Sequence, residues 1–275
     1  MNKNSRLGIA QNTIQIIQDG FYYKNNEKVE VRLAIENNIE KTFTIAPEEW
    51  NGIMDKPIIE NNESVQIVVK NCSTMEAMIE ERETKIAVLN FASAKNPGGG
   101  FLGGASAQEE SLARSSSLYA SLTKDKTMYE YNKSQRTFLY SDYMIYSPAT
   151  IFWFNDEGNT LAKEIVVDVI TSPAPNKGAM LQHNRTEEIE QIEAVFIERI
   201  EHVLQIANQQ NIETLILGAW GCGVFRNEPR EVASLFMTVI KEKYSYAFKK
   251  IVFAIRDSSD KKLVLNAFNE VIDLK

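Results

Sequence analysis

Short, almost wholly apolar runs alternate along most of this chain with longer stretches of mixed polarity. Val65–Val69 (VQIVV), Lys85–Phe91 (KIAVLNF), Glu164–Thr171 (EIVVDVIT), Thr214–Gly218 (TLILG) and Lys250–Ile255 (KIVFAI) predict strands. Runs this short and this apolar suit strands covered on both faces. Between them, amphipathic stretches predict helices over about Ser73–Glu83, Ala107–Leu122, Thr186–Gln210, Pro229–Tyr244 and Asp260–Val271. Ser73 or Thr74 can cap the first of these helices, and Pro229 opens the fourth.

The N-terminal part is less regular. It predicts a helix over Arg6–Gln18, strands around Phe21–Tyr23 and Val29–Leu33 with a turn at Lys24–Lys28, and a helix start at Ala46–Trp50. The expected fold is α/β: a three-layer α/β/α sandwich with a mixed sheet, plus N-terminal accessory elements. The expected division is an accessory region, residues 1–64, packed on a core, residues 65–275. In such folds ligands bind outside the carboxyl ends of the strands, so motifs that directly follow a strand come first.

Composition narrows the chemistry. With 275 residues, 44% of them hydrophobic, the chain can build a full core, either as one domain or with a small appendage. No apolar run approaches the roughly 18–20 residues that span a bilayer. The start, Met1–Gly8, has basic residues but no apolar segment behind them, unlike a signal peptide, so a cytoplasmic protein is expected. A net charge of −7 argues against duplex nucleic-acid binding, which needs clustered Lys and Arg. It leaves a phosphate ligand open, because backbone N–H groups hold phosphate without any net positive charge. Cys72 and Cys222 make no CxxC pair, and His183 and His202 make no metal-binding spacing. No metal and no cofactor are expected, and His-dependent nucleophile triads have poor candidates.

Two glycine loops follow predicted strands. The first is Asn96–Gly104 (NPGGGFLGG), after the strand ending near Phe91; the second is Gly218–Phe225 (GAWGCGVF), after TLIL. Glycine allows positive φ and lets backbone approach a ligand closely, so two such loops at one sheet edge could clamp a diphosphate. Either loop alone reads equally well as an ordinary turn. Neither is a Walker A loop or a G-x-G-x-x-G fingerprint, and Gly104–Gln108 fails the nucleophile elbow because Gln108 stands at its last glycine.

Gln108-Glu109-Glu110 opens the helix after the first loop. Acidic residues in a first turn favour the helix dipole and need no ligand. Here, however, they stand just beyond a loop suited to phosphate. Adjacent helical residues project about 100° apart, so the two carboxylates take different roles, one toward a scissile bond and one toward a sugar hydroxyl.

Residues 90–119, NFASAKNPGGGFLGGASAQEESLARSSSLY, resemble the signature of the microbial-type poly(ADP-ribose) glycohydrolases, a GGG loop followed at short distance by QEE. LGAWGCGVFRNEP, residues 217–229, resembles the family's diphosphate-binding loop, and Met144–Pro148 and Val167–Asn176 also look similar. The resemblance covers about residues 65–257 closely and the N-terminal third more vaguely. It implies a bacterial enzyme with a macrodomain core, an ADP-ribose ligand, and metal-free hydrolysis of the ribose–ribose O-glycosidic bond of poly(ADP-ribose).

Carried over by motif, Glu110 is the general acid/base, with the substrate diphosphate assisting. Glu109, its catalytic partner, and Gln108 position ribose and loop. Gly98, Gly99 and Gly100 approach the distal ribose and diphosphate, and Asn96 a ribose hydroxyl. Gly221, Cys222, Gly223 and Val224 wrap the diphosphate, and Phe225 packs near the distal ribose; Cys222 is a small loop residue rather than a nucleophile. A single carboxylate that protonates the leaving oxygen and then activates water suffices. The expected partners are ADP-ribose, poly(ADP-ribose) or ADP-ribosylated protein, with no membrane, and a monomer is expected.

Rival readings are a mono-ADP-ribosyl hydrolase acting on modified protein or nucleic acid, a non-catalytic ADP-ribose-binding macrodomain, and a generic α/β domain. The intact QEE speaks against the second, and the joint motif against the third. Trp50, Trp153, Trp220 and the Tyr140/Tyr143/Tyr146 stripe read as packing, His202 as packing or surface, and the basic run Lys124, Lys126, Lys133 and Arg136 as solvated.

Overall fold

The computed structural model describes residues 1–273. The chain opens with α1 (Lys3–Asp19), the hairpin β1 (Phe21–Lys24) and β2 (Glu27–Glu30), α2 (Arg32–Lys41), β3 (Phe43–Ile45) and α3 (Trp50–Met54). Then come β4 (Gln66–Lys70), α4 (Thr74–Glu81), β5 (Ile86–Phe91), α5 (Gln108–Arg114), α6 (Leu118–Leu122) and α7 (Thr127–Ser134). The long strands β6 (Met144–Phe154) and β7 (Thr160–Ser172) precede α8 (Lys177–Gln182), α9 (Thr186–Ile189) and α10 (Ile192–Gln209). β8 (Thr214–Leu217), α11 (Pro229–Lys243), β9 (Lys250–Ala254) and α12 (Leu263–Asp273) complete it.

Seven strands form one mixed sheet in the order β3-β6-β7-β5-β8-β9-β4. The pairs from β7 to β4 are parallel, while β3–β6 and β6–β7 are antiparallel. The side-chain alternation of β5 divides the core. Ala87 and Leu89 join α10 and α11 on one face, with Phe196, Val203, Phe236 and Phe248. Ile86 and Val88 join α4 to α7 on the other, with Met78, Leu112, Leu118 and Met128. This is the expected three-layer sandwich with a mixed sheet.

α4 starts where the sequence places it. Ser73 Oγ accepts from Glu76 N at 3.0 Å while Glu76 Oε2 accepts from Ser73 N at 2.7 Å, a reciprocal cap. Three expectations are corrected. The strand predicted over Val29–Leu33 ends at Glu30, and Arg32–Lys41 is helix instead. Val31 and Ile35 recur there at helical spacing and both face Trp153 in one apolar cluster. The single helix expected over Ala107–Leu122 is broken at Ser115–Ser117. Those serines turn their backbone outward to β6: Ser115 O accepts from Trp153 N at 3.0 Å and Ser117 N donates to Ile151 O at 3.0 Å. The helix expected over Thr186–Gln210 is likewise interrupted, at Glu190–Gln191.

β6 lacks a prediction because Pro148 interrupts its apolar pattern. The chain accommodates the proline with a bulge between Ser147 and Thr150, where Ala149 takes φ +52° and donates its N–H to Asp168 Oδ1 at 2.8 Å. β3 pairs with β6 through Phe43–Tyr146 to Ile45–Met144, so the N-terminal third supplies an edge strand of the main sheet.

Candidate active site

Both glycine loops leave carboxyl ends of neighbouring parallel strands, the first from β5 and the second from β8. They enclose one cavity of about 830 Å³, whose lining includes Asn96, Gln108, Glu109, Glu110, Gly221, Cys222, Gly223, Val224 and Phe225. The fold therefore gathers into one space residues more than a hundred positions apart.

The first loop is packed around its carboxylates. Gly98 and Gly99 take φ +67° and +59°. A β-carbon on Gly99 would stand 2.3 Å from Glu110 Oε1 and 3.0 Å from Glu109 Oε2, so no side chain fits there. Gly100 N donates to Glu110 Oε1 at 3.0 Å, whereas Glu110 Oε2 is buried and bonded to no protein group among the described residues. Glu109 is 3% exposed and accepts from Ser93 N at 2.7 Å and from Asn90 Nδ2 at 3.4 Å. Burial outweighs these donors and, with the neighbouring Glu110 charge adding to it, pushes the Glu109 carboxyl up to about 8. The adjacent carboxylates thus converge on Gly99 but differ in environment: Glu109 is buried and bonded, whereas one oxygen of Glu110 is buried with no partner among the described residues.

Gln108 anchors the start of α5. Its Oε1 accepts from Phe91 N at 2.9 Å, and its Nε2 donates to Leu89 O at 2.8 Å and Thr74 Oγ1 at 3.3 Å. Asn96 is exposed at the cavity rim, its carbonyl accepting from Gly99 N at 3.0 Å and its side-chain amide unbonded among the described residues.

The second loop has a different interior. Gly218 is pressed so close to β9 that a β-carbon would meet Ala254 O at 2.6 Å, and Gly221, at φ +73°, would meet Asn227 Nδ2 at 2.5 Å. Gly223 has no heavy atom within 4 Å of such a carbon, and Val224 is 83% exposed. Within the described residues, N–H groups of Trp220, Cys222, Arg226 and Asn227 find carbonyl acceptors in the loop, while those of Gly223, Val224 and Phe225 do not. Successive unpaired N–H groups in such a turn form a concave anion cradle. Burial pushes the Cys222 thiol up to about 12, so it stays protonated and is no nucleophile at neutral pH.

Tyr140 and Asp156 also line this cavity, and sequence reasoning did not single them out for the site. Tyr140 has φ +62°, its ring centroid lies 6.1 Å from that of Phe225, and its hydroxyl accepts from Asn176 Nδ2 at 3.2 Å. Its carbonyl accepts from Arg199 Nη2 at 3.0 Å; that guanidinium, 1% exposed, also pairs with Asp142 at 2.6 Å. Asp156 reaches the cavity because the β6–β7 hairpin folds over α5, where it accepts from Ser111 Oγ at 2.9 Å and Ser73 Oγ at 2.5 Å. The turn string Asn155-Asp-Glu-Gly-Asn159 is a hairpin signal that could have located Asp156.

Other residues serve packing. Trp50 stacks on His202 at 4.0 Å, and Lys124 donates to Glu40 O at 2.7 Å and Thr42 O at 2.6 Å, rather than standing solvated.

The family model for the microbial-type PARG catalytic domain matches residues 10–155. No curated protein matches the sequence significantly. Among solved structures, a poly(ADP-ribose) glycohydrolase from Thermomonospora curvata is 35% identical, with 98% of this chain and 99% of that one covered and a TM-score of 0.93. The same enzyme bound to the inhibitor ADP-HPD matches with a TM-score of 0.90 at 35% identity, over 97% of this chain and 99% of that one. The poly(ADP-ribose) glycohydrolase from Deinococcus radiodurans in complex with ADP-ribose is 38% identical, over 88% of this chain and 98% of that one, with a TM-score of 0.83.

Proposed function

The chain belongs to the microbial-type poly(ADP-ribose) glycohydrolase family, and from that premise we infer how its cavity cleaves the ribose–ribose O-glycosidic bond of poly(ADP-ribose) to release ADP-ribose. Glu110 is the general acid and then the general base. The observation that carries this reading is its asymmetric carboxyl: Oε1 is fixed by the Gly100 N–H at 3.0 Å, and Oε2 is claimed by no protein group among the described residues.

In the first step protonated Glu110 gives its proton to the glycosidic oxygen as the bond to the distal C1″ breaks and the ribose gains oxocarbenium character. The leaving chain departs as a free 2′-hydroxyl. In the second step ionised Glu110 takes a proton from water as the water oxygen bonds to C1″, which restores the acid. The diphosphate, held by the N–H groups of Gly223, Val224 and Phe225, lends negative charge to the developing cation. Gly98–Gly100, which are not among the cavity-lining residues, act by packing around Glu110 and its loop. Gly221 and Cys222 shape that cradle.

Phe225, against Tyr140, floors the distal ribose, and the free Asn96 amide meets a ribose hydroxyl. Glu109, held by Ser93 N and Asn90 Nδ2, acts by positioning the loop beside Glu110, and Gln108 acts by fixing the start of α5. Phe91, Ala254, Ile255 and Val264 give the far wall an apolar face suited to the adenine.

All these ligand-contacting residues fall within the core, 65–275, while residues 1–64 support it as an accessory region. Free thiols at Cys72 and Cys222 suit the reducing bacterial cytoplasm. No helix among the described residues is long and apolar enough to cross a membrane.

The test is ADP-ribose release from poly(ADP-ribose) by wild type and Glu110→Gln, with ADP-ribose binding followed by calorimetry. Turnover is expected to fall roughly 10²- to 10⁴-fold in the variant while binding is kept. Wild-type binding without turnover would sink the hydrolytic reading; full turnover by Glu110→Gln would remove Glu110 from its role.

A further inference from the structure

α1 lies outside the glycine loops in sequence yet touches the first of them along its length. Arg6 Nε donates to Gly104 O at 2.7 Å, and its Nη1 donates back to Met1 O at 2.8 Å. Gly104, at φ +73°, lies so close to the helix that a β-carbon would come 3.0 Å from Lys3 O and 3.1 Å from Leu7 Cγ. Ala10 packs with Phe101 of the loop and Ala113 of α5 in one buried cluster. Thr13 Oγ1 donates to Arg114 O at 2.5 Å.

From Gly104 the path to the reacting carboxylate is short. Ala105 N donates to Gly100 O at 3.2 Å, and Gly100 N donates to Glu110 Oε1 at 3.0 Å. On the other side, Arg114 Nη1 donates to Ala105 O at 3.2 Å. The Gly104–Ala105 segment is therefore held between two guanidinium groups. The loop has little rigidity of its own, since residues 92–107 hold no regular element beyond the 3₁₀ turn Phe101–Gly103. Its placement has to be imposed from outside, by α5 on one side and by α1 on the other.

We infer that Arg6 is a positioning residue for the hydrolysis: by holding the Gly104 carbonyl it lets α1 set the loop that aims Glu110. The inference rests on the Glu110 assignment above. Arg6 lines the cavity, but its Nε and Nη1 donate to carbonyls of the chain, so in this reading it acts through the loop rather than on substrate.

The experiment compares kcat and KM on poly(ADP-ribose), ADP-ribose affinity and the thermal midpoint for wild type, Arg6→Gln, Arg6→Lys and Gly104→Ala. kcat is expected to fall roughly 10- to 100-fold in Arg6→Gln, the scale of about an ångström of misplacement at a reacting group. KM and ADP-ribose affinity should stay as in wild type, and Arg6→Lys should recover part of the loss. Gly104→Ala should lower kcat in the same sense, because its β-carbon pushes the loop away from the same helix. Unchanged kcat in Arg6→Gln overturns the inference. So does a raised KM at unchanged kcat, which would make Arg6 a substrate contact. A kcat loss that merely follows the loss of folded protein and of ADP-ribose affinity overturns it too, leaving α1 as structural support alone. Wild-type turnover by Glu110→Gln would instead break the underlying assignment, whatever Arg6 does.

Discussion

The two glycine loops use the same residue for opposite reasons. At Gly99 the space of a side chain is already filled by Glu110 Oε1, 2.3 Å from where a β-carbon would stand. At Gly223 that space is empty to beyond 4 Å. The first loop spends its N–H groups internally, on Asn96, Gly98, Gly100 and Glu110, and is closed onto the two carboxylates. The second keeps a run of N–H groups from Gly223 to Phe225 unpaired and opens onto the cavity. In the proposed mechanism one loop aims the chemistry and the other receives the anion. A glycine's function is therefore read from what surrounds its missing side chain, since its conformational freedom serves both uses.

The contrast can be broken by matched substitutions. Gly99→Ala places a methyl group on Glu110 at a positive φ and should lower kcat about 100-fold. It should also cost about 1 kcal/mol or more of stability, from backbone strain alone. Gly223→Ala should leave the thermal midpoint of the ligand-free protein unchanged, since its β-carbon meets no protein atom. It should weaken ADP-ribose binding about tenfold, or roughly 1.4 kcal/mol, by occupying the path of the diphosphate. Calorimetry and steady-state kinetics on both variants check this. If Gly99→Ala lost affinity while Gly223→Ala lost kcat, the division of labour would be reversed.

A smaller effect sharpens the first loop's side of the comparison. Glu109 titrates near 8 in the fold against an ordinary value of 4.5, chiefly through burial. Between those values the unfolded chain has released a proton that the fold retains. The stabilisation from this group is thus complete below about 4.5 and is lost as pH rises through about 8. The Glu109→Gln variant should lose this slope, so its melting temperature relative to wild type should rise across that window. Parallel melting curves for the two proteins at every pH would mean that Glu109 is not sealed as the structure places it.

Much of this was legible in the chain. The apolar runs of β5, β8 and β9 need no context to be strands, because both faces of each are buried and both must be apolar. The glycine loops and QEE could be located because each follows such a strand or opens the next helix. What escaped was set by distant partners. Ser115–Ser117 would continue a helix if β6 did not take their backbone groups, and β6 itself is masked by Pro148. Tyr140 resembles its neighbours Tyr143 and Tyr146 in sequence, and becomes a cavity wall only because the buried Arg199, from α10, holds its carbonyl.

The sequence by itself determined the layer architecture, the strands that carry the loops and the identity of the carboxylates. These follow from hydrophobic periodicity and local turn chemistry, which act over a few residues. Only the tertiary structure decided that Glu109 is buried and bonded while one Glu110 oxygen has no partner among the described residues, that Asp156 folds over α5, and that α1 braces the first glycine loop. Burial, charge coupling and hydrogen-bond partners of that kind depend on which surfaces meet, and α1 meets the first loop and α5 from about a hundred residues away along the chain.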